Sequence, residues 1–185
     1  SKKFGFPGIP TSAEERIIRR DIELAKKTGC ALHIQHVTSH AGAAAIYEAR
    51  RDVNSVVHNH AHELIPFGVT KAPLRPIFHT ASRIGAEVPV WDIRDKFGDT
   101  NLLVVNIAQG RDLAKALADK RLVLMRGHGC AVGATDIYGA VATSIYAQVN
   151  ARLQMQAMAL GEVAYLSPGE IAAMNDNEYA ATKGQ

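Results

Sequence analysis

Two histidines one residue apart close the run Val53-Asn-Ser-Val-Val-His-Asn-His60, and a third stands between glycines in Arg126-Gly-His-Gly-Cys130. A neutral imidazole offers a nitrogen lone pair to a metal ion, and histidine is the commonest protein ligand of this kind. Residues two apart on a strand project to the same side, so His58 and His60 at a strand end present two rings to one point. The glycines beside His128 permit a sharp turn and a close approach of backbone to a bound group. Three such nitrogens on one ion leave a coordination position open for water or substrate, which is a catalytic rather than a structural arrangement. No cysteine or carboxylate clearly joins the set, so the spacing leaves zinc, manganese, iron and cobalt open. A lone His-x-His also occurs on solvated loops; it is the third histidine that favours the metal.

For the rings to meet, the strands that carry them must end at the same edge of one sheet. Val53 to Val57 is rich in β-branched residues and bounded by polar ones, which predicts a buried strand ending just before His58; Arg121 to Met125 predicts another, running into Gly127. Alanine-rich Ala41 to Arg51 predicts a short helix. Prolines at 66, 73 and 76 predict irregular chain over a pocket. His79 and Arg83 are expected on a helical turn, Val88 to Trp91 in a short strand, and Leu102 to Ile107 in a stronger one. Arg111 to Lys120 reads as an amphipathic helix. Thr135 is expected to cap a long helix reaching about Leu160, with apolar positions suited to the sheet and to another subunit; Tyr138 and Tyr146 on it read as core or interface residues. Ser167-Pro-Gly-Glu170 opens a last short helix to Met174, followed by a frayed polar tail.

The 185 residues suffice for one substantial core, and a hydrophobic content of 47% with 21% charged residues is that of a globular protein. The net charge of +3 is spread without a basic block, which gives nucleic acid no footprint. Neither a membrane-length apolar run nor the apolar region of a signal peptide is visible, so a cytoplasmic location is expected, with no membrane partner. The two cysteines, Cys30 and Cys130, form no disulfide framework or metal-pair spacing and read as free thiols.

The first forty residues have a different character. Gly5-Phe-Pro-Gly-Ile-Pro10 predicts turn or extended chain, Ser12 with Glu15 a capped helix ending near Gly29, and Ala31 to Val37 a strand. Phe6-Pro-Gly-Ile-Pro10, Glu14 through Ala25 and Leu32-His-Ile-Gln-His-Val-Thr-Ser39 resemble a fragment of a dihydroorotase or hydantoinase-type amidohydrolase. That resemblance would make His36 a metal ligand. One helix and one strand cannot build the closed eight-stranded barrel such a site needs, and His58 and His60 follow this strand rather than precede it. A partly buried, hydrogen-bonded His36 is the simpler reading.

From about Ala44 to Met174 the chain is similar to the class II aldolase/adducin family, through Ile46-Tyr-Glu-Ala-Arg50, Asp52 through His60 and Leu124-Met-Arg-Gly-His-Gly129. The resemblance implies an α/β fold of three α/β/α layers around a mainly antiparallel sheet. It also implies a divalent ion on His58, His60 and His128, zinc or manganese foremost, and a homotetramer. Ile65 through Thr70, Pro73-Leu-Arg-Pro76, His79 and Ile93-Arg-Asp95 are more similar to the decarboxylase branch, which acts on hydroxylated aromatic, pyridine or muconic-type carboxylic acids. A small carboxylate or carbonyl compound is then the expected substrate. Arg75 and Arg83 are candidates to bind a carboxylate, and His79 and Glu63 to move a proton. The family's acid/base glutamate falls near Ser39, where this chain has none. The expected organisation is therefore an amidohydrolase-like segment at 1–40 joined to a class II domain at 41–185 truncated at its amino end. Aldol cleavage, an adducin-like binding module and an inactive chimera are the alternatives to decarboxylation.

Overall fold

A computed structural model describes residues 40–183. In chain order its elements are α1 His40–Ala49, β1 Ser55–Asn59, a 3-10 turn His62–Leu64, α2 Ile65–Val69, a 3-10 turn His79–Ile84, β2 Val90–Trp91, α3 Arg94–Phe97, α4 Ile107–Leu117, β3 Leu122–Met125, β4 Gly129–Ala134, α5 Ile137–Leu160 and α6 Pro168–Lys183. All of them belong to one unit spanning residues 37–185. The expected helix at 12–29, the strand at 31–37, His36, Ser39 and Cys30 lie outside the described residues.

The four strands form one sheet in the order β1-β4-β3-β2. β4 pairs antiparallel with both β1 and β3, while β2 lies parallel to β3, so the sheet is mixed rather than mainly antiparallel as expected. Because β1 and β3 are both antiparallel to β4, they run the same way and end at the same edge. That edge carries the histidines.

Side chains on successive strand residues alternate between faces, and here both faces are covered. On one side Val123, Met125 and Ala131 pack with Ala45 and Ile46 of α1 and with Leu113, Ala114 and Leu117 of α4. On the other, Leu122, Leu124, Cys130 and Val132 pack with Ala140, Ala147 and Ala151 of α5. This is the α/β/α layering expected, and it explains why β3 is buried at all four positions. Arg50 fastens α1 to the turn before β3: its guanidinium forks onto Asp52 at 2.5 and 2.7 Å and donates to the carbonyls of Ala118 and Lys120.

Several local expectations are corrected. β1 starts two residues later than predicted and takes in His58, which pairs with Ala131. Ile65–Val69 is helical, its proline standing at the first turn where no N–H is missed. The 102–107 strand does not form, since Leu102 has φ 64° and α4 already begins at Ile107. Side chains satisfy its backbone instead, with Thr100 accepting from Leu102 N–H, Asn101 from Leu103 and Gln109 from Val105. β4, whose sequence Gly-Cys-Ala-Val-Gly-Ala has one β-branched residue, carries almost no strand signal. Asp136 rather than Thr135 caps α5, accepting from Gly139 N–H at 2.7 Å. The last helix runs on to Lys183 from a capping box in which Ser167 and Glu170 serve each other's N–H groups.

Candidate metal centre

The shared edge of β1 and β3 brings His58, His60 and His128 together, with one nitrogen of each within 4.8 Å of the others. Ring centroids are 4.8 to 4.9 Å apart around the triangle. The outer nitrogens of two rings are taken. His58 Nδ1 lies 2.9 Å from the carbonyl of Cys130, and His128 Nδ1 lies 2.8 Å from that of Leu102. A carbonyl only accepts, so both Nδ1 atoms carry the proton and both Nε2 atoms turn bare lone pairs inward.

This donor set fits a metal ion. His128 Nε2 is buried and has no hydrogen-bond partner, an arrangement that costs free energy unless something is bound there. His58 and His60 Nε2 are 2.9 Å apart, a few tenths of an ångström short of the roughly 3.4 Å edge of a tetrahedral zinc site. Burial pushes the His58 imidazole down to about 4, with the neighbouring His128 and His60 adding to the effect against the Cys130 hydrogen bond. Burial, then His60, also lowers His128. Both rings are therefore neutral at pH 7, as ligation requires. Cys130 is no ligand: burial pushes its thiol up to about 12, and Sγ donates to Asn59 Oδ1 at 3.4 Å.

Behind His128, Arg126 N–H donates to the Trp91 carbonyl and its guanidinium pairs with Asp92, Nε to Oδ2 2.7 Å, although that N–H does not point along the contact. Arg94 takes the same carboxylate at 2.8 Å. Arg94 first, and Arg126 after it, hold Asp92 well below the usual carboxylate range.

The other predicted site residues have contacts of their own. Among the described residues neither Glu63 nor His79 joins the histidine cluster. Glu63 bonds Gln148 of α5, which with nearby Arg152 keeps it below the usual carboxylate range. His79 begins a 3-10 turn and is exposed; Arg83, on the same turn, accepts through its carbonyl from Arg121. The Arg75 guanidinium stacks 4.3 Å above the Tyr165 ring and lines a cavity of about 370 Å³ with Pro73, Leu74, Glu87 and Val88, none of the three histidines being among its walls. Tyr138 is exposed, and Tyr146 meets Phe78 edge-on.

Sequence reading missed the groups that hold two of the candidate ligands, the carbonyls of Leu102 and Cys130. A backbone acceptor leaves no mark in residue type.

Comparison with known proteins agrees with this layout. A family model for the class II aldolase and adducin N-terminal domain matches residues 19–155, beginning well before the motifs at 46–60. The decarboxylase tropJ of Talaromyces stipitatus is 35% identical over 102 residues, which are 49% of this chain and 38% of that protein. A dihydroorotase of Syntrophus aciditrophicus is 45% identical over 51 residues, 28% of this chain and 12% of that one. Among solved structures, an L-fuculose 1-phosphate aldolase superposes with a TM-score of 0.63 at 20% identity, covering 77% of this chain and 63% of its own. The corresponding enzyme of Glaciozyma antarctica gives 0.59 at 22% identity, over 78% of this chain and 52% of its own. The chain thus spans less than two thirds of each of these relatives, and the structural likeness speaks for the fold. With the family model covering most of its length, and its three histidines gathered at one sheet edge of the matching fold, the chain belongs to the class II aldolase and adducin family.

Proposed function

We propose that this protein is a divalent-metal-dependent carbon–carbon lyase that decarboxylates a small hydroxylated aromatic, pyridine or muconic-type carboxylic acid, with His58, His60 and His128 as the metal ligands. The observation that carries the reading is the buried, unpartnered Nε2 of His128, facing two further imidazoles. When bound there, zinc or manganese supplies positive charge to oxygen atoms that become more negative as a carbon–carbon bond breaks. The chain's own part is to keep the ligands neutral and aimed. Burial keeps protons off His58 and His128, and the two carbonyl tethers stop their rings from turning. His60, the exposed member, stands on the solvent side where a substrate would enter.

Arg75 and Arg83 are the candidate carboxylate-binding groups, and His79 and Glu63 the candidate proton carriers. Support is weakest for Glu63, whose carboxylate is engaged by Gln148. The 35% identity to a decarboxylase supports loss of carbon dioxide. The aldolase neighbours support a second reading, aldol cleavage of a hydroxy-keto acid or sugar phosphate at the same ion. The matches to short stretches of dihydroorotases support a two-part chain, an amidohydrolase-like segment at 1–40 joined to the class II domain at 41–185. An apolar stripe exposed on α5, Tyr138, Val141 and Ile145, supports assembly into a homo-oligomer, for which we propose a tetramer.

The test loads the purified protein with zinc or manganese, measures metal content, and supplies hydroxylated aromatic and dicarboxylic acids. Metal retention with carbon dioxide release is the expected result. Aldehyde release from hydroxy-keto acids or sugar phosphates selects the second reading, metal retention without turnover of either class favours an inactive chimera, and failure to retain any metal overturns both readings in favour of a binding module.

A further inference from the structure

His58 and His128 are aimed by carbonyl acceptors, but among the described residues His60 Nδ1 has no hydrogen-bond partner, and the residue is exposed. An exposed ring on two rotatable bonds would be the loosest ligand of the three, and a site is no tighter than its loosest ligand allows. What holds this residue lies on either side of it in the chain and across the sheet.

On the near side, Asn59 pairs with Cys130 as the last residue of β1. Its side-chain oxygen then accepts twice, from the N–H of Ala61 at 3.1 Å and from the Cys130 thiol at 3.4 Å. The first is a turn closed over His60, because it links the residues immediately before and after it. The second pins that turn to β4. From the far side Gly129 closes the remaining space. A methyl group added there would overlap the carbonyl oxygen of Asn59 and stand 3.1 Å from both its carbonyl carbon and Cδ2 of the His60 ring. A side chain at 129 would therefore press on the Asn59 backbone that carries His60 and, less severely, on the edge of its ring.

We propose that Asn59 and Gly129 are positioning residues that aim His60 at the metal, replacing the carbonyl tether the other two ligands have. This rests on the metal reading above. The two residues act on one ligand by different means: Asn59 ties down the turn that carries it, and Gly129 leaves room for the Asn59 carbonyl and the ring edge.

Cobalt(II) serves as the probe, since its visible absorption reports coordination without turnover. The full chain and the variants Gly129→Ala, Asn59→Ala and Asn59→Ser are titrated with cobalt(II) against a chelator of known affinity, and unfolding midpoints are measured alongside. Loss of outer-shell support lowers metal affinity by about 10- to 100-fold, so Asn59→Ala and Gly129→Ala are each expected to bind that much more weakly, with weaker or altered visible bands. Asn59→Ser, whose hydroxyl closes the same turn less well, should recover part of the loss. If Gly129→Ala fails to fold, Asn59→Ala decides. Affinities within twofold of the unsubstituted chain in the folded variants, while that chain binds cobalt normally, overturn the positioning role alone. No cobalt binding by the unsubstituted chain overturns the metal reading and this role together.

Discussion

His128 Nδ1 donates to the carbonyl oxygen of Leu102 at 2.8 Å, and Leu102 holds that carbonyl in a left-handed backbone conformation, φ 64°. A branched side chain in that region costs roughly 1 to 3 kcal/mol and persists only where the surroundings enforce it. The surroundings here are the Leu102 side chain packed on the inner core and its Cδ1 standing 3.4 Å from where a side chain on Gly127 would begin. Strain at residue 102 is therefore coupled to the aim of the His128 ring, a candidate ligand.

The tether has a direct spectroscopic consequence. In the metal-free protein His58 and His128 should both appear as Nδ1–H tautomers, whereas His60 should carry its proton on Nε2 and donate to the bare Nε2 of His58, 2.9 Å away. Long-range proton–nitrogen NMR correlations at neutral pH read this pattern, and an Nε2–H tautomer at His58 or His128 would refute the carbonyl tethers.

Replacing His58, His60 or His128 singly by alanine should reduce bound zinc from about one ion per chain to a small fraction of that, because a two-imidazole site binds far more weakly than a three-imidazole one. Elemental analysis after gel filtration makes the comparison. Unchanged stoichiometry in all three variants would place the ion elsewhere.

The segment that carries Arg75 is held by two fully buried amides of α5. Gln154 accepts from Arg75 N–H and donates to the Pro73 carbonyl; Asn150, one helical turn earlier, accepts from Ile77 N–H and donates to the Arg75 carbonyl. Together they do for this extended chain what a neighbouring strand would. Gln154→Leu removes the partner of the part-buried Arg75 N–H and Pro73 carbonyl and should lower stability by about 1 to 3 kcal/mol. Urea unfolding followed by the fluorescence of Trp91, the single tryptophan and a buried one, measures the loss. A change below about 1 kcal/mol would mean that water replaces the amide.

Acid should loosen the support behind His128. Asp92 is depressed below its unfolded value of about 3.9 by Arg94 and Arg126, so the folded state stays ionised where the unfolded chain takes up a proton. Its contribution is complete above about pH 4 and is lost as pH falls below that toward the folded value. Asp92→Asn should therefore be less stable than the unsubstituted protein at pH 7, with the gap narrowing toward pH 2. A constant gap between pH 7 and pH 2 in urea midpoints would contradict the assigned ion pairs.

By itself the sequence determined the candidate ligands and the outer frame. Spacing two on a strand put His58 and His60 on one side, glycines marked the turn at His128, alanine content marked α1 and helical periodicity α4 and α5, because each of these depends on residues close together in the chain. Tertiary structure alone decided that β4 would form between the two ligand-bearing strands and make their ends coincide, since Gly-Cys-Ala-Val-Gly-Ala becomes a strand by being buried between neighbours rather than by propensity. It decided, too, that 102–106 would leave the sheet, where side-chain acceptors replaced ladder partners and freed the Leu102 carbonyl for His128. The distribution has one physical cause. Which atoms can ligate is a property of residue type, but what aims them is backbone brought from 26 and 72 residues away, and a backbone carbonyl is the same in every residue until the fold places it.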